Sequence, residues 1–139
     1  MNQVMKPILG TLAAFVVMFG LAGIFNTFLI ADLLRQNVNP VMLRTPQNRL
    51  LIGLGYLVLA LLMTALYPRI ARADHPVFLR GLLFGMIIGL LWMLPMSLVL
   101  HGVYNLPGMA LLLDTAWALI EQGLGGVVIA VIYGRDTGK

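Results

Sequence analysis

The sequence predicts an all-α membrane protein of four antiparallel transmembrane helices, and three observations carry that prediction. Of its 139 residues, 60% are hydrophobic and 10% charged, against about a quarter charged in soluble domains. The mean hydropathy is +0.96. Four stretches, about 7–34, 48–67, 77–102 and 107–133, each supply the ~20 apolar residues a helix needs to cross a bilayer. They use nearly the whole chain, so 1–139 reads as a single four-helix transmembrane domain with no soluble domain.

The first span follows "MNQVMK" and could imitate a signal peptide, whose apolar region is only about 7 to 15 residues long. Pro7 to Leu34 is almost uninterrupted apolar sequence with no A-x-A site after it, which reads as a retained helix. For the second span, Thr45 is the expected N-cap with Pro46 at the first helical position, and "YPR" at 67–69 is expected to end it. The third contains Pro95, which cannot donate to the Leu91 carbonyl and is expected to bend the helix. Asn105-Leu106-Pro107 starts the fourth.

Six of the nine Lys/Arg (Lys6, Arg69, Arg72, Arg80, Arg135, Lys139) fall on the face holding both termini, while Arg35, Arg44 and Arg49 fall on the other. The excess places both termini in the cytoplasm. Tyr67 and Tyr133 then sit at the inner interface and Tyr104 at the outer one. A net charge of +4 spread over span ends, without a basic cluster, gives no sign of nucleic-acid binding.

Several chemistries are excluded or unsupported. There is no cysteine, so disulfides, thiol redox chemistry and Cys-ligated metals are out. The two histidines, His75 and His101, fall at opposite membrane faces, and no metal site or cofactor is expected. The sequence contains no GxSxG, Walker, HExxH or GxGxxG motif, and an enzyme is not expected.

Gly81, Gly85 and Gly89 recur every four residues in "RGLLFGMIIGLL", a spacing that lets helix backbones approach closely in lipid. The fourth span has its own small-residue ridge at Ala118, Gln122, Gly126, Ala130 and Gly134. With a hairpin turn near 105–106, residue numbers at equal depth sum to about 211 at the constant rise of a helix. That rule pairs Gly81 with Ala130, Gly85 with Gly126, and Gly89 with Gln122.

The polar chemistry concentrates in the fourth span, where Asp114 and Glu121 lie about 20° apart around the helix and ~10 Å apart along it. Glu121 falls near the bilayer midplane, where an ionised carboxylate is costly, and no Lys or Arg lies inside any span away from its ends. The least costly solution is a protonated Glu121 donating a hydrogen bond to a hydroxyl, an amide or a carbonyl freed by Pro95. Asp114 is nearer the outer interface, at the height of Asn26, Thr27, Tyr56 and Ser97, with Trp92 and Trp117 close by. It reads first as an ion-pair partner for Arg49 or Arg35, or as a charge favoured by the helix dipole. The candidate polar site is therefore Glu121, Asp114, Gln122, Asn26, Tyr56, Ser97 and Trp117, and the packing set is Gly81, Gly85, Gly89, Gly126 and Ala130.

The second half, "RGLLFGMIIGLL", then a mid-helix proline, then "IEQGLGGVVIAVIYGR", resembles the small uncharacterised four-helix integral membrane proteins of bacteria. That resemblance implies a bacterial inner membrane and names no function. Small multidrug transporters have a similar size and a membrane glutamate, but theirs is in the first helix, where this chain has Asn26 and Asp32. Two roles are expected from the residues. One is an accessory or scaffolding subunit of a membrane assembly, held by Glu121 and Gln122 and associating with itself or a partner. The other is a small proton-coupled transporter or channel in which Glu121 exchanges protons.

Overall fold

The computed structural model describes residues 4–32, 36, 46–71 and 75–134. Arg35, Arg44, Thr45, Arg72, Arg135 and Lys139 lie outside the described residues. Among the described residues four helices are each long and apolar enough to span a membrane, and the chain is a multi-pass, all-α membrane protein. Helix α1 covers Met5–Ile24 and continues into a widened turn at Phe25–Leu29. Helix α2 covers Arg49–Ile70, α3 Val77–Val103 and α4 Gly108–Gly134. In lipid every backbone N–H and C=O must bond within its own segment, so apolar runs of this length become helices whatever their individual propensities.

Three local expectations are corrected. The cap of α2 is Asn48, whose side-chain oxygen accepts a hydrogen bond from the Leu51 N–H at 3.1 Å. Asn48 stands three residues before that free N–H, the reach a carboxamide cap needs. Second, α2 does not stop at "YPR" but runs through Pro68 to Ile70. A proline costs only the one N–H that would have bonded the Thr64 carbonyl, and Tyr133 of α4 donates its hydroxyl to that carbonyl at 3.4 Å. Third, the first span is not one regular helix. At Phe25–Leu29 the bonding changes, with the Ile30 N–H reaching back five residues to the Phe25 carbonyl at 3.1 Å.

Tyr133→Phe keeps the ring, which sits 5.5 Å from that of Tyr67, and removes only the hydroxyl. The expected cost is about 0.5–1 kcal/mol, the usual worth of an interhelical hydrogen bond in a membrane. Detergent unfolding followed by circular dichroism measures it, and an unchanged midpoint would show that the Thr64 carbonyl is satisfied without Tyr133.

Helix α4 is central. It packs most extensively against α3 and next against α1, while α2 leans on α1 and touches α3 and α4 only sparsely. The buried core gathers Ala14 and Met18 of α1, Ala60 and Met63 of α2, Phe84 of α3 and Ile129 and Ala130 of α4. Apolar side chains also cover the outside, with Leu50 81% and Leu91 65% exposed. Lipid solvates such a surface as well as a core does, so helix pairing depends on close packing and polar contacts instead of apolar burial.

The α3–α4 contact is backbone against backbone. A β-carbon at Gly81 would stand 2.6 Å from the Ala130 β-carbon and 2.6 Å from the Gly126 carbonyl oxygen. At Gly85 it would overlap the Gln122 carbonyl oxygen, and at Gly126 it would stand 2.9 Å from the Gly85 α-carbon. At Gly89 it would stand 2.5 Å from the Ala118 carbonyl oxygen and 3.2 Å from Gln122 Oε1. On the other side of α4, Gly125 receives Met18 of α1, whose sulfur would lie 2.8 Å from an added β-carbon. These contacts hold α4 between α1 and α3 and fix the direction in which Glu121 points.

Candidate functional site

Glu121 is 2% exposed and Gln122 1% exposed, so both side chains are interior. The Glu121 carboxyl accepts three hydrogen bonds. Trp117 donates its indole Nε1–H to Oε2 at 3.1 Å, Tyr56 of α2 donates its hydroxyl to Oε2 at 3.4 Å, and Gln122 donates from Nε2 to Oε1 at 2.8 Å. Two of these partners, a hydroxyl and an amide, are of the kinds expected at this depth, and the third is the indole. Trp117 stands one turn before Glu121 on the same helix, and an indole N–H can only donate. Gln122 Oε1 is buried without a partner.

Beside this cluster is a cavity of about 230 Å³. Its walls carry Phe25, Tyr56, Trp92, Trp117, Asp114 and Glu121, with Asn26 at the edge. The widened turn after α1 shapes one wall. It seats the Phe25 ring parallel to Trp117, with centroids 4.8 Å apart and planes at 10°. One residue on, Asn26 donates from Nδ2 to the Ala22 carbonyl at 2.9 Å. Widened turns of this kind occur often at functional sites, because the extra residue re-aims the side chains beside it. Trp92 is 53% exposed and Asn26 is also exposed, so the cavity is not sealed from its surroundings.

Asp114 lines the same cavity half-buried. Arg49, one of its expected partners, borders a different cavity with Gln47, Thr27 and Phe28. His101 lies in the last turn of α3. Its Nδ1 is 2.8 Å from the Ser97 carbonyl oxygen and its Nε2 is 3.2 Å from that of Pro107, so it ties the end of α3 to the start of α4. Ser97 is buried on α3 but contributes its backbone there and does not line the cavity. His75 precedes α3 at the opposite end.

The structure thus brings together Glu121, Gln122, Trp117, Tyr56, Asp114 and Asn26, and it leaves Ser97 one turn away. Sequence reasoning missed Phe25 and Met93 as lining residues. Phe25 could have been found from its place beside Asn26 at the depth of Trp117, whereas nothing in "FNTFL" announces a widened turn. The arrangement presents two carboxyl groups, four aromatic rings and two carboxamides to one small space. Such a lining can hold a proton or a small cation, because carboxylates supply charge and aromatic faces attract cations. No protein-family model, curated protein or solved structure matches the chain.

Proposed function

We propose that this protein is a small transporter or channel coupled to protons, working through Glu121 with Asp114 on the access path. The observation that supports this over a purely structural role is where the Glu121 partners come from. Two of the three donors, Trp117 and Gln122, belong to its own helix, and the single donor from another helix, Tyr56, is the longest of the three at 3.4 Å. A carboxyl kept to pair helices would draw most of its bonds across the interface. This one sits beside a cavity, and intramembrane acids on cavity walls commonly serve proton or ion pathways. The excess of Lys/Arg on the terminal face assigns both termini to the cytoplasm, and the resemblance to bacterial proteins assigns the inner membrane.

The second reading is the accessory or scaffolding subunit, and a separate observation favours it. Gly20 and Gly23 of α1 and Gly55 of α2 have nothing within 4 Å of an added β-carbon, so their small faces are open to another helix, from a second copy or a partner protein. The two readings separate in proteoliposomes carrying a pH gradient and an entrapped pH dye. The wild-type protein dissipates the gradient and folded Glu121→Gln does not, because an amide cannot release the proton. Dissipation at the wild-type rate by that variant would overturn the transport reading. Loss of a co-purifying partner or oligomer with normal helix content would favour the accessory one.

A further inference from the structure

Helices α2 and α3 touch sparsely, and a groove of about 520 Å³ lies between them, away from the Glu121 cavity. Its walls are Ile70 and Ala71 at the end of α2 and Phe84, Ile87 and Leu91 along α3, with Arg80 at the terminal end. Arg80 to Leu91 is eleven residues, roughly 16 Å of helix. That matches one leaflet of a hydrocarbon core about 30 Å thick. A transmembrane helix crosses the whole core, so a groove confined to one leaflet fits an acyl chain better than a helix.

The terminal end of the groove is polar in a specific way. Arg80 donates from Nη2 to the His75 carbonyl at 3.3 Å, but its Nε is buried with no partner. Tyr67 is 4% exposed and its hydroxyl also has no partner. Tyr67 stands behind the groove wall, one turn before Ala71, which lines it. Tyr67 packs edge-on against Phe84, with centroids 5.2 Å apart, and Phe84 stands one turn after Arg80 on α3. Both groups lack an acceptor, and a buried donor without one is costly. A phosphate ester supplies several acceptor oxygens and the negative charge that an arginine fork matches. The site sits in the first turn of α3, where the helix N-terminus also favours an anion, on the face that carries Lys6 and Arg69.

We propose that the α2–α3 groove binds one anionic phospholipid, with an acyl chain along Phe84, Ile87 and Leu91 and the headgroup phosphate on Arg80 and Tyr67. Basic pockets between membrane helices recognise headgroups in this manner. The lipid satisfies both orphaned groups and fills the gap that the helices leave.

Native mass spectrometry of the full chain in mild detergent, with phosphatidylglycerol and phosphatidylcholine of identical chains, tests the proposal. The wild-type protein retains phosphatidylglycerol in preference, and Arg80→Gln reduces that preference about fivefold, the effect of one basic residue at a lipid headgroup. Arg69→Gln, which removes an equal charge from the same face outside the groove, leaves it unchanged. Tyr67→Phe keeps the ring packed on Phe84 and also weakens the preference, which covers the case of an Arg80 variant that does not fold. Ile87→Trp fills the groove and lowers retention of both lipids. Equal retention of the two lipids by the wild-type protein would overturn the assignment, as would equal effects of the two arginine variants. So would displacement of the lipid by glycerol 1-phosphate at matched concentration, which would make the site one for a soluble phosphate. A dimer broken by Ile87→Trp, with no lipid retained, would give the groove to a second copy.

Discussion

Gly85→Ala loses about 3 kcal/mol of stability, at the upper end of the range for overpacking. The added carbon would overlap the Gln122 carbonyl oxygen and stand 2.8 Å from the Gly123 α-carbon. Both are backbone atoms of α4, so no side-chain rotation relieves the clash, and the helices must separate along their common face. Separation also withdraws Gly81 from Ala130 and Gly89 from Ala118, since the three glycines share one stripe. The internal control is Gly102→Ala on the same helix, where nothing lies within 4 Å of the new carbon. There alanine's better helix propensity makes the change neutral or stabilising by up to about 1 kcal/mol. Unfolding of the two variants side by side in mixed detergent decides the matter. Equal midpoints for Gly85→Ala and Gly102→Ala would mean that the α3–α4 backbone contact does not limit stability.

Glu121→Leu loses about 2 kcal/mol, because it strands the Trp117 indole N–H and a Gln122 amide N–H that now bond the carboxyl oxygens. A buried donor left without an acceptor costs about 1–3 kcal/mol, and the lower part of that range applies where the unfolded chain in lipid finds other partners. Glu121→Gln behaves differently. Its oxygen continues to accept from Trp117, and its new amide N–H₂ replaces the oxygen that faces Gln122. Rotating the Gln122 amide by half a turn then presents Oε1, which has no partner in the wild-type protein, to the new donor. The pair is joined again, but the Gln122 N–H₂ now occupies the place where Oε1 had no partner, and the expected loss is about 1 kcal/mol, the low end of the cost of a stranded donor. This makes Glu121→Gln the proper variant for the flux experiment, since it removes the exchangeable proton and keeps the contacts with Trp117 and Gln122. Tryptophan emission reports on the site independently: Trp117 shifts in Glu121→Leu and stays in place in Glu121→Gln. If the leucine variant is as stable as the wild type, the carboxyl does not hold the cluster together.

The readable part of the site was the part that depends on distance along one helix. Trp117 and Glu121 are four residues apart, so their meeting follows from helix geometry alone. The meeting of the α3 glycines with the α4 ridge follows from depth to within one turn: Gly81 meets Ala130 as expected, while Gly85 and Gly89 come closest to the Gln122 and Ala118 carbonyls, one turn from the expected Gly126 and Gln122. Tyr56 and Asn26 could be placed at the right height but not on the right side. The Asn48 cap was missed because Thr45-Pro46 is an equally good local signal three residues earlier, and a helix end shifts easily by one turn.

What the amino-acid sequence determined by itself is the set of four membrane-spanning helices, their order, and the carboxyls and glycines they carry. The reason is that lipid leaves a backbone no partner outside its own helix, so apolar length alone decides the secondary structure. What only the tertiary structure decided is the rotation of each helix about its axis and the widened turn at Phe25–Leu29. Those set which rings surround Glu121, leave Gln122 Oε1 unpartnered, and open the groove between α2 and α3. A helix's own periodicity says which residues share a face. Which neighbour that face meets is chosen by close contact between helices, here by Gly85 against the Gln122 backbone and Met18 against Gly125.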